Sequence, residues 1–359
     1  MEKRGQEVVD RTIKSIAPLD RKAMAEGRAR QDQLTKPRGS LGRLEELSIQ
    51  LAGIRREPVS RLTKKAIIIM VGDHGVVAEG VSAYPQEVTA QMVINFLRGG
   101  AAINVLARHI GARVVVVDMG VAAMLEPHPQ LISKKVAPGT RDMARGPAMS
   151  REQAIQAIEA GIEVVEEEIR KGLDIIGTGD MGIGNTTSSS AICACITGDS
   201  VERVTGRGTG LDDVQLARKV EVINQALSVN KPDPGDPLDV LSKVGGFEIG
   251  GLVGVMLAAA AHNVPVVVDG FISGAAAMIA TELCAGLKGY LIASHVSAEA
   301  GHRAMLRSLG LKPLLDLDMR LGEGTGAALG ILLAEASAKI MEQMATFAEA
   351  GVSDKEGQG

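Results

Sequence analysis

The sequence predicts an α/β fold: an open, mainly parallel sheet flanked by helices, beside a small helical domain built from the two ends of the chain. Three observations carry this. Short β-branched runs alternate with segments of helical periodicity, the runs are apolar at nearly every position, and almost all of them stop at a glycine-rich polar turn. A strand that is apolar on both sides must be covered on both faces, which is the condition of a parallel sheet between helical layers. Such a sheet is Rossmann-like in its organisation.

In chain order, the first sixty residues are charged and helical and contain no candidate strand. Strands follow at 66–71, 114–117, 173–176, 265–268 and 291–293, with helices expected at 86–109, 151–171, 212–228 and 272–287. From 330 to 350 the chain again reads as helix, before a polar tail at 353–359. Residues 1–60 with 331–359 are expected to pack as the small helical domain, leaving 61–330 as the large α/β domain. No repeat or long low-complexity linker interrupts this order.

Composition narrows the function classes. The 359 residues are 45% hydrophobic and 23% charged, but only 2% aromatic: four Phe, two Tyr and no Trp. The core must therefore be aliphatic, with fifteen Met among its fillers. With 39 Lys and Arg against 43 Asp and Glu, the net charge of -4 offers no field for a polyanion. Stacking platforms for bases are scarce as well, so nucleic acid is excluded as a partner. The first residues show no apolar signal segment. The most apolar window, 250–261, runs into His262, Asn263 and Pro265, too short and too interrupted to span a bilayer. A cytoplasmic protein with no membrane partner is expected. Cys193, Cys195 and Cys284 then read as small hydrophobes in a reducing compartment.

The turns after the strands carry the chemistry. They are Gly72-Asp73-His74-Gly75, Asp118-Met119-Gly120, the stretch 177–187, Asp269-Gly270, and Ser294-His295-Val296-Ser297-Ala298-Glu299. In open α/β sheets the ligand crevice lies outside the carboxyl ends of the strands, so these turns should converge. Gly, at 43 residues, exceeds the ~7% of average usage, and much of the excess gathers here, where backbone must approach a ligand.

Gly177, Gly179 and Gly182 match the spacing of a dinucleotide fingerprint, and Asp199 lies about where a ribose-binding acid would. Asp199, however, follows a helix and precedes no strand. The run instead continues through Gly184 into Asn185, Thr186 and Thr187, which suits amides, hydroxyls and a helix N-terminus gripping one phosphate. A tight βα turn is the plainer alternative.

In Arg320-Leu321-Gly322-Glu323-Gly324-Thr325-Gly326 a single carboxylate stands among glycines before an Ala-rich helix. It reads either as a capping acid or as a general base tuned by burial. His74, with Asp73 beside it, and His295 both end strands. No third ligand at zinc-like spacing and no Gly-x-Ser-x-Gly elbow accompanies them, so they read as loop-orienting groups and no metal is expected. His109 reads as a core or interface residue, and Glu166, Glu167 and Glu168 as a solvated helix face.

Taken together, the motifs resemble a known family. They are Lys36-Pro37-Arg38-Gly39-Ser40-Leu41-Gly42-Arg43-Leu44-Glu45, Asp73-His74-Gly75-Val76, the turn at 179–187, Asp239-Val240-Leu241-Ser242-Lys243-Val244-Gly245-Gly246-Phe247, the 294–299 turn and the 320–326 turn. In this order, over nearly the whole chain, they resemble nicotinate-nucleotide:dimethylbenzimidazole phosphoribosyltransferases, which activate the lower-ligand base of cobamides. The resemblance implies transfer of the phosphoribosyl group of nicotinate mononucleotide to an aromatic acceptor base, with inversion at the anomeric carbon and release of nicotinate. It implies no cofactor, and a dimer with an identical or homologous chain. By position, Glu323 matches the general base and Asp180 an auxiliary carboxylate. Met181, Gly182, Asn185, Thr186, Gly208, Lys219, Ser297, Leu321 and Gly322 match positions around the phosphoribosyl group and nicotinate.

The chain departs from the pattern at three positions. Asp180 stands where many members carry Glu. Tyr84 and Met92 stand where benzimidazole users commonly carry Ser and Gln, and with Met181 they imply a tighter, more apolar acceptor pocket. A phenolic acceptor, phenol or p-cresol, follows as one expectation beside dimethylbenzimidazole. Two readings from other classes are an NAD-dependent oxidoreductase built on the glycine fingerprint, and a non-catalytic stabilising subunit of a heterodimeric transferase. Intact Glu323 argues against the second.

Overall fold

The computed structural model describes residues 2–353. The elements run α1 (Glu2–Ser15), α2 (Arg21–Gln33), α3 (Arg43–Arg55), β1 (Lys65–Gly72), α4 (Glu87–Leu97), α5 (Ala102–Ile110), β2 (Ala112–Gly120) and β3 (Leu131–Ser133). There follow α6 (Arg151–Arg170), β4 (Ile175–Met181), α7 (Asn185–Thr197), α8 (Val201–Val204), α9 (Asp213–Asn230), α10 (Pro237–Val244), α11 (Phe247–Ala261) and β5 (Val266–Val268). The chain ends with α12 (Phe271–Leu283), β6 (Leu291–Ala293), β7 (His295–Val296), α13 (His302–Leu309), β8 (Leu315–Asp316), α14 (Thr325–Gln343) and α15 (Phe347–Ala350).

Six strands form one sheet in the order β3-β2-β1-β4-β5-β6, every pair parallel. The order reverses between β1 and β4, so their diverging connections leave a crevice at that point. All eight residues of β1 are buried, as the run of β-branched residues required. Its side chains alternate between two apolar clusters: Ile68 and Met70 pack with Val117, Ile176 and helices α6, α11 and α12, while Ile67, Ile69 and Val71 pack with α3, α5 and α14. The sheet is thus a sandwiched layer. Beyond its edge, β7 and β8 pair as a separate parallel ribbon.

Helix starts follow local chemistry. Ser150 caps α6 and Asp212 caps α9, each with a glutamine three residues on that returns the bond. Asp236 caps α10 with Pro237 in its first turn. The apolar window resolves as α11, buried along nearly its whole length between the sheet and α6. No described helix is long and apolar enough to cross a membrane.

The structure differs from expectation at several boundaries. The helix expected at 86–109 is two helices, broken at Gly99-Gly100 and restarted where Asn104 accepts the Ala101 N–H. The helix expected at 272–287 ends at Cys284 and passes into a 3₁₀ turn that holds Gly286 and Gly289, poor continuers of an α-helix. At the C-terminus α14 starts earlier than expected and stops at Met344. There Thr346 pairs with Leu34 across an antiparallel bridge. Within the tail expected at 353–359, residues 354–359 lie outside the described part of the chain.

Candidate active site

The carboxyl ends of β1, β4, β5 and β6 surround a cavity of about 370 Å³. Its wall includes Ser82 and Tyr84 after β1, Asp180 to Thr186 at the end of β4, Gly208 and Thr209, Phe271 and Ile272, His295, Ser297 and Glu299, and Arg320, Leu321 and Gly322. Of the five glycine-rich turns, those at 177–187, 269–270 and 294–299 converge on it, while 72–75 and 118–120 stay outside its wall. A larger groove of about 730 Å³ runs along α1 and α6, but Arg4, Arg11, Lys134 and Arg170 face Glu159, Glu163, Glu166 and Glu167 there, and none of the sequence motifs enters it.

The turn after β4 is shaped by close approach. A Cβ at Gly182 would run into the Gly72 carbonyl, so the turn packs directly on the end of β1. The Ile183 N–H donates to Thr89 Oγ1, and α7 begins at Asn185, where the Asn185 and Thr187 N–H groups donate to the Gly182 and Gly184 carbonyls. Asn185 Nδ2 donates to Asp180 Oδ2 at 3.0 Å. Lys219 reaches in from α9 and donates through Nζ to Thr186 Oγ1 at 2.8 Å and to the Gly206 carbonyl at 3.3 Å. This lysine is fully buried in its own chain, and burial lowers its pKa to about 8 against the opposing charge of Glu299. Asn185, Thr186, Gly208 and Ser297 line the cavity, and Lys219 lies behind the Thr186 corner of that wall. An ammonium, a hydroxyl and a helix N-terminus in one place can hold an anion.

Acids adjoin this corner. Asp180 is buried, and burial first, then the charges of Asp269, Glu248 and Glu323, push it well above the usual carboxylate range; Asn185 opposes them. Its Oδ1 has no hydrogen-bond partner. Glu323 is 5% exposed, and burial raises its pKa while the Ile103 N–H at the start of α5 opposes the shift. Glu323 adopts φ +61 between two glycines that also have positive φ, a conformation that costs a non-glycine residue about 1–3 kcal/mol. Its carboxyl lies beyond the cavity wall that Leu321 and Gly322 form, rather than in it. Asp269 is buried with its pKa raised to about 7, desolvation outweighing the N–H groups of Ala327, Gly324 and Gly326.

Beneath the β4 turn, His74 Nε2 lies 2.7 Å from Glu248 Oε1 and its Nδ1 lies 3.0 Å from Ser188 Oγ. Burial opposes charging of His74, but Glu248 and Asp73 raise its pKa overall. This is the loop-orienting role expected of His74, whereas His295 joins the cavity wall. Among the described residues, no group of three or more His, Cys, Asp or Glu could hold a metal ion.

Two expectations change. Met92 does not line the cavity: it is half-buried on α4 against the cluster that holds Ile67 and Val71. Tyr84 is at the rim, with its side chain 54% exposed, and does not fill the pocket. The dinucleotide fingerprint also dissolves, because Gly177 and Gly179 lie inside β4 and serve packing against α14 and its leading turn. Sequence reasoning missed Thr209, Phe271, Ile272 and Arg320 as wall residues. Phe271 and Ile272 follow Asp269-Gly270 directly, and that position after a strand was the available signal.

Comparison with known proteins agrees with this geometry. A family model described as a phosphoribosyltransferase matches residues 16–352. A protein of Roseiflexus sp. (strain RS-1), named nicotinate-nucleotide–dimethylbenzimidazole phosphoribosyltransferase, is 63% identical over 97% of this chain and 99% of its own. One of the same name from Desulforudis audaxviator is 61% identical over 97% and 98%. A crystal structure of the Thermus thermophilus protein of that name superposes with a TM-score of 0.89, at 46% identity over 94% of this chain and 100% of that one. A glycine-walled crevice at the strand-order reversal, an anion corner and matching relatives along the full length lead to one conclusion: the chain belongs to the nicotinate-nucleotide–dimethylbenzimidazole phosphoribosyltransferase family.

Proposed function

We propose that this protein transfers the phosphoribosyl group of nicotinate mononucleotide to dimethylbenzimidazole, giving an α-riboside phosphate and nicotinate. The observation that carries the reading is one cavity whose wall holds Thr186, backed by the buried Lys219, next to Asn185 and the Asp180 carboxyl, with Glu323 following directly on its Gly322 wall. The 5′-phosphate occupies the corner, held by Thr186 and Asn185, with the Lys219 ammonium behind Thr186. Its binding energy fixes the ribose so that C1′ faces the acceptor.

Nicotinate leaves with the glycosidic electron pair, which neutralises its pyridinium nitrogen and builds positive charge at C1′. The lone pair of one benzimidazole nitrogen forms the new bond from the opposite face. The proton on the other nitrogen passes to the Glu323 carboxylate, whose burial raises its proton affinity. Asp180, whose proton affinity burial and the neighbouring acids raise, stands in the wall beside Asn185.

A benzimidazole acceptor is favoured over a phenolic one for two reasons. The relatives' names specify dimethylbenzimidazole, and Met92 and Tyr84 do not narrow the cavity as the sequence suggested. We further propose that two such chains assemble. Ile94, Val105, Met124, Leu317 and Leu321 leave apolar surface exposed on the single chain. Incubating the protein with nicotinate mononucleotide and dimethylbenzimidazole, phenol or p-cresol tests the reading through nicotinate release. Faster turnover of dimethylbenzimidazole is expected. Transfer to phenols alone, or to none of the three, overturns it.

A further inference from the structure

Asp269, the residue after β5, has its backbone and its carboxylate engaged on four sides. Its N–H donates to Thr178 Oγ1 in β4 at 3.1 Å, and its carbonyl accepts from Ser294 Oγ after β6 at 3.0 Å. Its carboxylate accepts the Gly324 N–H at 3.1 Å through Oδ2 and the Ala327 N–H at 2.9 Å through Oδ1. The residue therefore ties three neighbouring strands to the start of α14.

That helix needs the tie. Its N-cap is Gly324, which has no side chain to bond the first amides. Asp269, 55 residues upstream of Gly324, supplies the cap instead. A Cβ at Gly326 would come within 2.8 Å of Asp269 Oδ1, so the carboxylate sits directly on the helix backbone. The capped segment is the one that holds Glu323 in its left-handed conformation at φ +61. Both carboxylate oxygens of Asp269 are committed to backbone, and Asp269 is absent from the cavity wall.

We propose that Asp269 is the positioning residue for Glu323, capping α14 from across the sheet and so fixing the turn that aims the Glu323 carboxyl at the acceptor. The inference rests on the reading of Glu323 as the base in phosphoribosyl transfer. Because Asp269 acts through Glu323, its loss should cost nothing further once Glu323 is gone.

The test is a double-mutant cycle on kcat and on KM for nicotinate mononucleotide. Asp269→Asn should lower kcat by about thirtyfold or more with KM within about threefold of wild type, and Asp269→Asn/Glu323→Gln should be no slower than Glu323→Gln alone. Should Asp269→Asn not fold, Ser294→Ala, which loosens Asp269 while keeping its carboxylate, carries the same cycle with an expected loss of about threefold to tenfold. Losses that multiply in the double variant, or kcat within twofold of wild type for the folded single variant, overturn the proposal. Wild-type protein that transfers nothing overturns the proposed function instead. Glu323→Gln at wild-type speed overturns the base assignment and this inference together.

Discussion

The carbonyl oxygen of Glu323 lies 2.6 Å from the point where a Cβ on Gly179 would stand. A glycine in the middle of β4 is thus the floor on which the Glu323 turn rests. The contact explains why a buried strand that pairs with Ile69 of β1 gives up a side chain at that position.

The first prediction follows from this contact. Gly179→Ala forces the turn outward and should destabilise the fold by about 1–3 kcal/mol, the usual range for overpacking. Turnover should fall much further than that loss alone implies, because Glu323 moves with its backbone. Denaturant midpoints and kcat, measured side by side, check it. A variant with normal kcat would show that the turn relaxes without shifting its carboxyl.

Lys219 gives a pH prediction. Its pKa of about 8 lies below the ordinary lysine value of 10.5. As pH rises through about 8 the empty enzyme loses the ammonium, so KM for nicotinate mononucleotide should climb on the alkaline side. The stability sign runs the other way: burying a charged lysine costs free energy, so this group favours the folded state increasingly as pH rises from about 8 toward 10.5. Lys219→Gln should raise KM at neutral pH and flatten both dependences.

The His74–Glu248 pair, beneath the β4 turn, predicts a stability effect. Removing one partner of a buried pair typically costs about 3–5 kcal/mol, so Glu248→Gln should show a clearly lower denaturant midpoint. The raised His74 pKa makes this contribution fully present below the unfolded value of 6.5, and it is lost as pH rises through the folded value. Glu248→Gln should erase that slope, which a midpoint series from about pH 5 to about pH 9 would show.

Tyr84 predicts a small effect. An exposed rim residue contributes little to folding, so Tyr84→Ser should leave the denaturant midpoint within about 0.5 kcal/mol of wild type. The KM for dimethylbenzimidazole should change by less than about tenfold, below the roughly 10–200-fold of a substitution inside a pocket. A larger change would mean that the ring closes over the bound acceptor.

Local pattern made much of this protein legible. The five principal strands, the helical layers and the convergence of three of the five glycine-rich turns follow from continuous apolar runs that only a doubly covered parallel sheet can bury. Asn185 and Thr186 were legible as wall residues too, since they are neighbours in the chain at the start of α7. The short strands β3, β7 and β8 were not, because two or three residues carry no periodicity.

What sequence spacing could not decide is anything that depends on distant segments meeting. Gly177 and Gly179 match the spacing of a nucleotide fingerprint, which the placing of Asp199 already argued against, but that they pack against α14 and the Glu323 turn was not in the spacing. Met92 read as a pocket residue until the turn of α4 put it against the core. Asp269 carried no signal beyond its place after a strand, yet it caps a helix 55 residues away. The sequence determined which elements form, since backbone sterics and hydrophobic burial act locally. The tertiary structure alone decided which carboxylates share one buried space, and therefore which way each proton affinity shifts.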